Sequence, residues 1–98
     1  MFDKMKALFD MQKKMKEIKQ ELDNTEFEAS SSNGLVKITM NGSQEMRGIV
    51  IQADLKQIEK NVLEQAVKDA YNKAIKRAHE IAAQKMKDVT GFNLPGLT

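Results

Sequence analysis

Cysteine and tryptophan are absent from this chain of 98 residues, and proline, histidine and tyrosine occur once each. Without thiols, neither disulfides nor thiolate metal sites can brace the fold. With His79 as the sole histidine, the nucleophile–base pairs of covalent catalysis have almost no material. The run His79-Glu80-Ile81-Ala82-Ala83 opens like a zinc-protease helix, but Ala83 stands where the second ligand histidine is needed. No stretch approaches the roughly 20 apolar residues of a membrane span. The opening segment is too densely charged to read as a signal peptide. These shortages argue against an enzyme, a cofactor or metal carrier and a membrane protein. A cytoplasmic chain with no small-molecule substrate is expected.

What is abundant is charge. Charged residues make up 31% of the chain, yet the net charge is +2, so local placement matters more than the sum. The length suits one domain. A domain this short buries roughly 60–70% of its unfolded surface, and its core is thin.

The first segment carries a helical pattern. Leu8, Met11, Met15, Ile18 and Leu22 recur at steps of three and four, a heptad seam, and Met1, Phe2, Met5 and Phe9 widen it. The methionines Met1, Met5, Met11 and Met15 are soft enough to suggest a Cu(I) site, but they share the seam with Leu8 and Ile18, and packing is the better reading. The helix is predicted to stop at Asn24-Thr25, after about 33 Å.

Strands follow, punctuated twice by Asn-Gly. Thr25–Ser31, Val36–Met40 and Met46–Gln52 are predicted to form a three-stranded antiparallel meander. A two-residue turn at Asn33-Gly34 pairs Phe27 with Met40 and Ala29 with Ile38. At the second turn, a three-residue loop taking in Ser43 sets Ile38 opposite Met46. That register puts Leu35, Ile49 and Ile51 on the opposite face, so the sheet has two apolar faces and needs two covers.

Asp54 to Asp88 lacks Gly and Pro. Asp54 with Gln57, or Asn61 with Glu64, can cap a helix start, which allows a short helix before a long one. Ala66, Ala70, Ala74, Ala78 and Ala82 form an unbroken i+4 row, a ridge that permits close helix approach. The long helix outreaches the sheet, and its row would be bare in a lone chain. A homodimer is expected, with Leu35, Ile49, Ile51, Ala70, Ala74 and Ala78 at its interface. The fold class is α+β, a helix, a meander and a long helix, in a single domain over residues 1–90. Residues 91–98 are expected to form an extended or flexible tail.

Three stretches resemble the YbaB/EbfC nucleoid-associated family. Gly34-Leu35-Val36-Lys37-Ile38-Thr39-Met40-Asn41-Gly42 is similar to its central hairpin, and Asp69-Ala70-Tyr71-Asn72-Lys73-Ala74 to its long helix. Thr90-Gly91-Phe92-Asn93-Leu94-Pro95-Gly96-Leu97 resembles its tail. Two loops depart from the family pattern. Ser30-Ser31-Ser32-Asn33 replaces a glycine-rich run, and Gln52-Ala53-Asp54 replaces an Asp-Pro. The resemblance implies a bacterial homodimer whose terminal helices project like tweezers and grip double-stranded DNA with little sequence demand.

The residues that could do so are lysines and one arginine. Lys6, Lys13 and Lys14 lie off the first seam. Lys73, Lys76 and Arg77 share a face of the long helix, and Lys85 and Lys87 extend positive charge towards its end. Ammonium and guanidinium groups so placed neutralise phosphates and release counterions. Read from the residues alone, they equally suit a solvated surface, with Lys6–Asp10, Lys13–Glu17 and Lys76–Glu80 spaced to pair at i+4. The competing function is a prefoldin-like adaptor or chaperone that uses the helical seams.

Overall fold

The computed structural model describes residues 2–90. Helix α1 spans Phe2–Asp23, strands β1, β2 and β3 span Glu26–Ser30, Val36–Asn41 and Met46–Ile51, and helix α2 spans Lys60–Thr90. The strands pair antiparallel in the order β1-β2-β3. The expected α+β meander between two helices is what forms. The predicted tail lies outside the described residues.

Helix α1 stops where predicted. The Thr25 hydroxyl donates to the carbonyl of Glu21 at 2.6 Å, and the Thr25 amide to that of Leu22 at 3.2 Å. These bonds satisfy carbonyls that the helix end would otherwise leave open. No helix forms at Asp54. Its carboxylate accepts from the Lys56 amide at 3.0 Å and its carbonyl from the Gln57 amide at 2.9 Å, which closes a single turn before α2.

The first hairpin keeps its predicted register, with Phe27 opposite Met40 and Ala29 opposite Ile38. Its turn is wider than two residues. Ser31 and Val36 close the ladder, and Gly34, at φ 75°, takes the left-handed position.

The second hairpin overturns the predicted register. Asn41 closes on Glu45, and the loop is Gly42-Ser43-Gln44, with Gln44 in the left-handed region at φ 66°. Arg47 is then skipped as a bulge, because Met40 pairs with Met46 and Thr39 with Gly48. Ile38 therefore sits opposite Ile49 rather than Met46, and Val36 opposite Ile51. Ile49 and Ile51 join the face of Val36 and Ile38, because directly opposed residues share a side.

The sheet thus has one apolar face. Its other side carries Glu28, Lys37 and Thr39, with Lys37 Nζ 3.0 Å from Glu28 Oε2. Leu35 does not occupy a second apolar face either; it packs against the core.

That core is built from Val36, Ile38 and Met40 of β2 against Ala66, Ala70, Ala74 and Ala78 of α2, all of them buried. Phe27, Ala29, Leu63, Val67 and Ile75 pack around them. The alanine ridge lets α2 lie close on the sheet. The row is therefore not bare in one chain, and Ala70, Ala74 and Ala78 are spent inside the protomer rather than free for an interface.

Candidate nucleic-acid interface

Two helices leave the same end of the sheet. At the first turn, Asp69 Oδ2 accepts from the Ser32 amide at 2.7 Å, which sets α2 at the start of β2. From there α2 crosses the sheet and runs past its far end. Helix α1 ends at that far end, where the Leu22 carbonyl meets the Gly42 amide at 3.0 Å. Beyond it, Lys85 Nζ lies 3.3 Å from Glu21 Oε2. One helix enters the sheet as the other leaves it, so they run antiparallel as a projecting arm. The molecule is accordingly 67 × 23 × 16 Å in extent.

A polar joint holds the base of the arm. Asn41 is fully buried. Its Nδ2 donates to the Asp23 carbonyl at 3.2 Å and to Glu45 Oε1 at 2.8 Å. Its Oδ1 accepts from the amides of Ser43 at 3.0 Å and Glu45 at 2.9 Å. Asp23 Oδ1 accepts from Lys19 Nζ at 2.7 Å and from the Ser43 hydroxyl at 2.5 Å. The hydrogen bonds from Lys19, then Ser43, hold the Asp23 carboxyl below its ordinary range. From the sequence, Asn41 and Ser43 are read only as turn residues, and Lys19 and Asp23 are given no role. Asn41-Gly42 signalled a turn, but nothing local to it signals a partner eighteen residues upstream.

The basic residues divide by what they touch. Lys73 donates to Ser32 Oγ at 2.7 Å and to Asp69 Oδ2 at 3.3 Å, so it pins the first turn to α2. Asp69 is also held below the ordinary carboxylate range, first by the Ser32 amide and then by Lys73. Lys85 links the two helices through Glu21. Arg77 Nη1 lies 3.5 Å from Glu80 Oε2, an exposed pair of the kind worth about 0–1 kcal/mol.

Lys6, Lys13, Lys14, Lys76 and Lys87 are exposed. Among the described residues no ion pair joins them to a carboxylate. The expected pairs Lys6–Asp10, Lys13–Glu17 and Lys76–Glu80 do not form, and Glu80 turns to Arg77 instead. Lys4 and Lys16 of α1 are exposed and unpaired in the same way, and the sequence reading passed them over.

His79 is exposed on α2. Among the described residues no group of three or more His, Cys, Asp or Glu is placed to hold a metal ion, and no helix is long and apolar enough to cross a membrane.

The fold is similar to the crystal structure of uncharacterized protein HP0035 from Helicobacter pylori, with a TM-score of 0.68 at 22% sequence identity. That match covers 90% of this chain and 99% of the other. The model of the YbaB/EbfC DNA-binding family matches residues 1–93. With the family model spanning nearly all of it, the chain belongs to the YbaB/EbfC DNA-binding family.

Proposed function

We propose that the protein binds double-stranded DNA as a homodimer, with little sequence preference, through basic residues on the projecting helices. Its place is the bacterial nucleoid in the cytoplasm, and its binding alters nucleoid organisation and gene expression. The observation that carries this reading is the set of unpaired cations on the two helices. Lys6, Lys13, Lys14, Lys76 and Lys87 can meet phosphates without breaking an ion pair. Each phosphate neutralised releases condensed counterions, which favours binding and makes it salt-dependent. Arg77, held weakly by Glu80, can exchange that partner for a phosphate.

The dimer rests on β3. This edge strand leaves backbone donors and acceptors open to another strand, and α2 packs on β1 and β2 instead of over it. Ile49 and Ile51 consequently stand 45% and 40% exposed, with Met46 on the same face and Val50 exposed on the other. A second protomer at this edge would cover those side chains and pair their backbone. The alanine row, buried within one chain, has no part in it.

The test is a gel-shift titration on unrelated duplexes at two salt concentrations, with the assembly state followed by sedimentation. Comparable affinities that fall steeply with salt support the proposal. Binding confined to one duplex, or insensitive to salt, overturns it.

A further inference from the structure

The cations that no carboxylate holds face two opposite ways. On α1, Ile18 is buried where α2 packs against it. Lys13 and Lys6 precede Ile18 by five and twelve residues, and at ~100° per residue they point about 140° and 120° away from it. They stand on the side of α1 turned from α2. On α2, Ala78 is buried in the core and Lys85 reaches Glu21 of α1. Lys76 lies two residues from Ala78 and Lys87 two from Lys85, in each case about 160° round the helix. Lys76 therefore points away from the sheet and Lys87 away from α1. All four lysines are exposed.

The surface between these two edges does not suit phosphate. One flank of the helix pair is lined by Glu17, Glu21, Glu80 and Asp88, with Lys85 and Arg77 among them. Both cations there are already paired, Lys85 with Glu21 and Arg77 with Glu80, so the flank repels an anion. Leu8 and Met15 turn to the other side of Ile18 from Glu17 and Glu21. They are 65% and 43% exposed and have no donor to offer. A duplex laid across either flank would meet carboxylates or bare apolar side chains between the two sets of lysines.

We propose that the protein bridges two duplexes, one on the outer side of α2 at Lys76 and Lys87, the other on the outer side of α1 at Lys6 and Lys13. This role rests on the DNA binding proposed above and adds a second duplex to it. Two helices packed ~8–10 Å apart, each about 5–6 Å in radius, make the arm about 20 Å wide. That exceeds the Debye length of about 8 Å at physiological salt, so repulsion between the two duplexes is largely screened. Neither edge includes β3, and both stay open in a dimer joined there.

The test fixes one duplex to beads and asks whether the full chain retains a second, fluorescent duplex of unrelated sequence, with a single-duplex gel shift run beside it. Retention is the result expected. Lys6→Gln with Lys13→Gln, and separately Lys76→Gln with Lys87→Gln, should each lose it while still shifting one duplex, more weakly, through the edge that remains. Gln keeps helix propensity, so the helices persist. A full chain that shifts single duplexes but retains no second one overturns bridging and leaves the DNA reading standing; one that shifts none overturns both. Retention that survives either pair of substitutions overturns the two-edge assignment, because like edges of a dimer would then hold the two duplexes. A single-duplex shift abolished by each pair alone overturns it too, because both edges would then serve one duplex.

Discussion

The carbonyl of Leu22 accepts the amide of Gly42 at 3.0 Å, and the same amide reaches the Thr25 carbonyl at 2.9 Å. The end of α1 is thereby seated in the second hairpin turn, closely enough that glycine is required there. A Cβ on Gly42 would stand 2.8 Å from Leu22 Cδ2 and 3.2 Å from the Leu22 carbonyl oxygen. The side-chain methyl could rotate away, but the backbone oxygen has to move with the helix. Gly42→Ala should therefore cost about 1–3 kcal/mol, the usual range for overpacking, measured by urea denaturation. A variant as stable as the parent would show that the arm shifts freely at its base.

Asn41 supports the same joint from inside. Four hydrogen bonds satisfy its buried amide. Asn41→Leu should leave the Ser43 and Glu45 amides and the Asp23 carbonyl without that partner. About 1–3 kcal/mol is expected for each buried group left unsatisfied, in part offset where water enters. The measurement is the same denaturation curve, and the loss should exceed that of Gly42→Ala.

Acid should loosen both helix seats, that of α1 on the second turn through Asp23 and that of α2 on the first turn through Asp69. Asp23 and Asp69 have carboxyls held below the ordinary value of 3.8. A carboxyl that is more acidic in the folded state stabilises the fold above its unfolded pKa. That contribution fades as pH falls through the folded value. Stability should thus decline below about pH 4, and Asp23→Asn should flatten part of that decline. An unchanged acid limb in the variant would remove Asp23 from the cause.

Lys73 and Lys76 should behave differently, although the sequence places them on one helix face. Lys76→Gln with Arg77→Gln removes up to four cations per dimer, so it should weaken binding to all duplexes and lower the log–log salt slope by up to about 3.6, from ~0.9 per phosphate. The fold should be untouched, since Gln keeps helix propensity. Lys73→Gln should instead lower thermal stability, because Lys73 ties Ser32 and Asp69 together. A salt slope altered by Lys73→Gln alone, at constant stability, would reverse the assignment.

Ile49→Glu tests the proposed dimer edge. In one chain Ile49 is partly exposed, and a carboxylate there should be tolerated by the protomer. Buried between two β3 edges, the same charge without a partner would be strongly unfavourable. Sedimentation should show the dimer replaced by monomer. A dimer of undiminished affinity would place the interface elsewhere.

Order and type of the elements were legible because their signals are local. The three- and four-residue steps from Leu8 to Leu22, the alternation from Val36 to Met40 and the Asn-Gly pairs each act within a few residues. The first register was equally legible, since a turn centred on Asn33-Gly34 sets Phe27 opposite Met40 and Ala29 opposite Ile38. The second register was not. Its loop is displaced by Gln44 and its strand by the Arg47 bulge, and both serve a turn held by Asp23 and Leu22 of a distant helix. No period along β3 encodes that partner. Tertiary packing likewise decided that the alanine row is covered within one chain. It also divided the cations, seating Lys73 on Ser32 of the first turn and Lys85 beside Glu21 of α1 and leaving Lys76 free. The charges were written in the sequence, but their availability depends on which carboxylate the chain brings alongside.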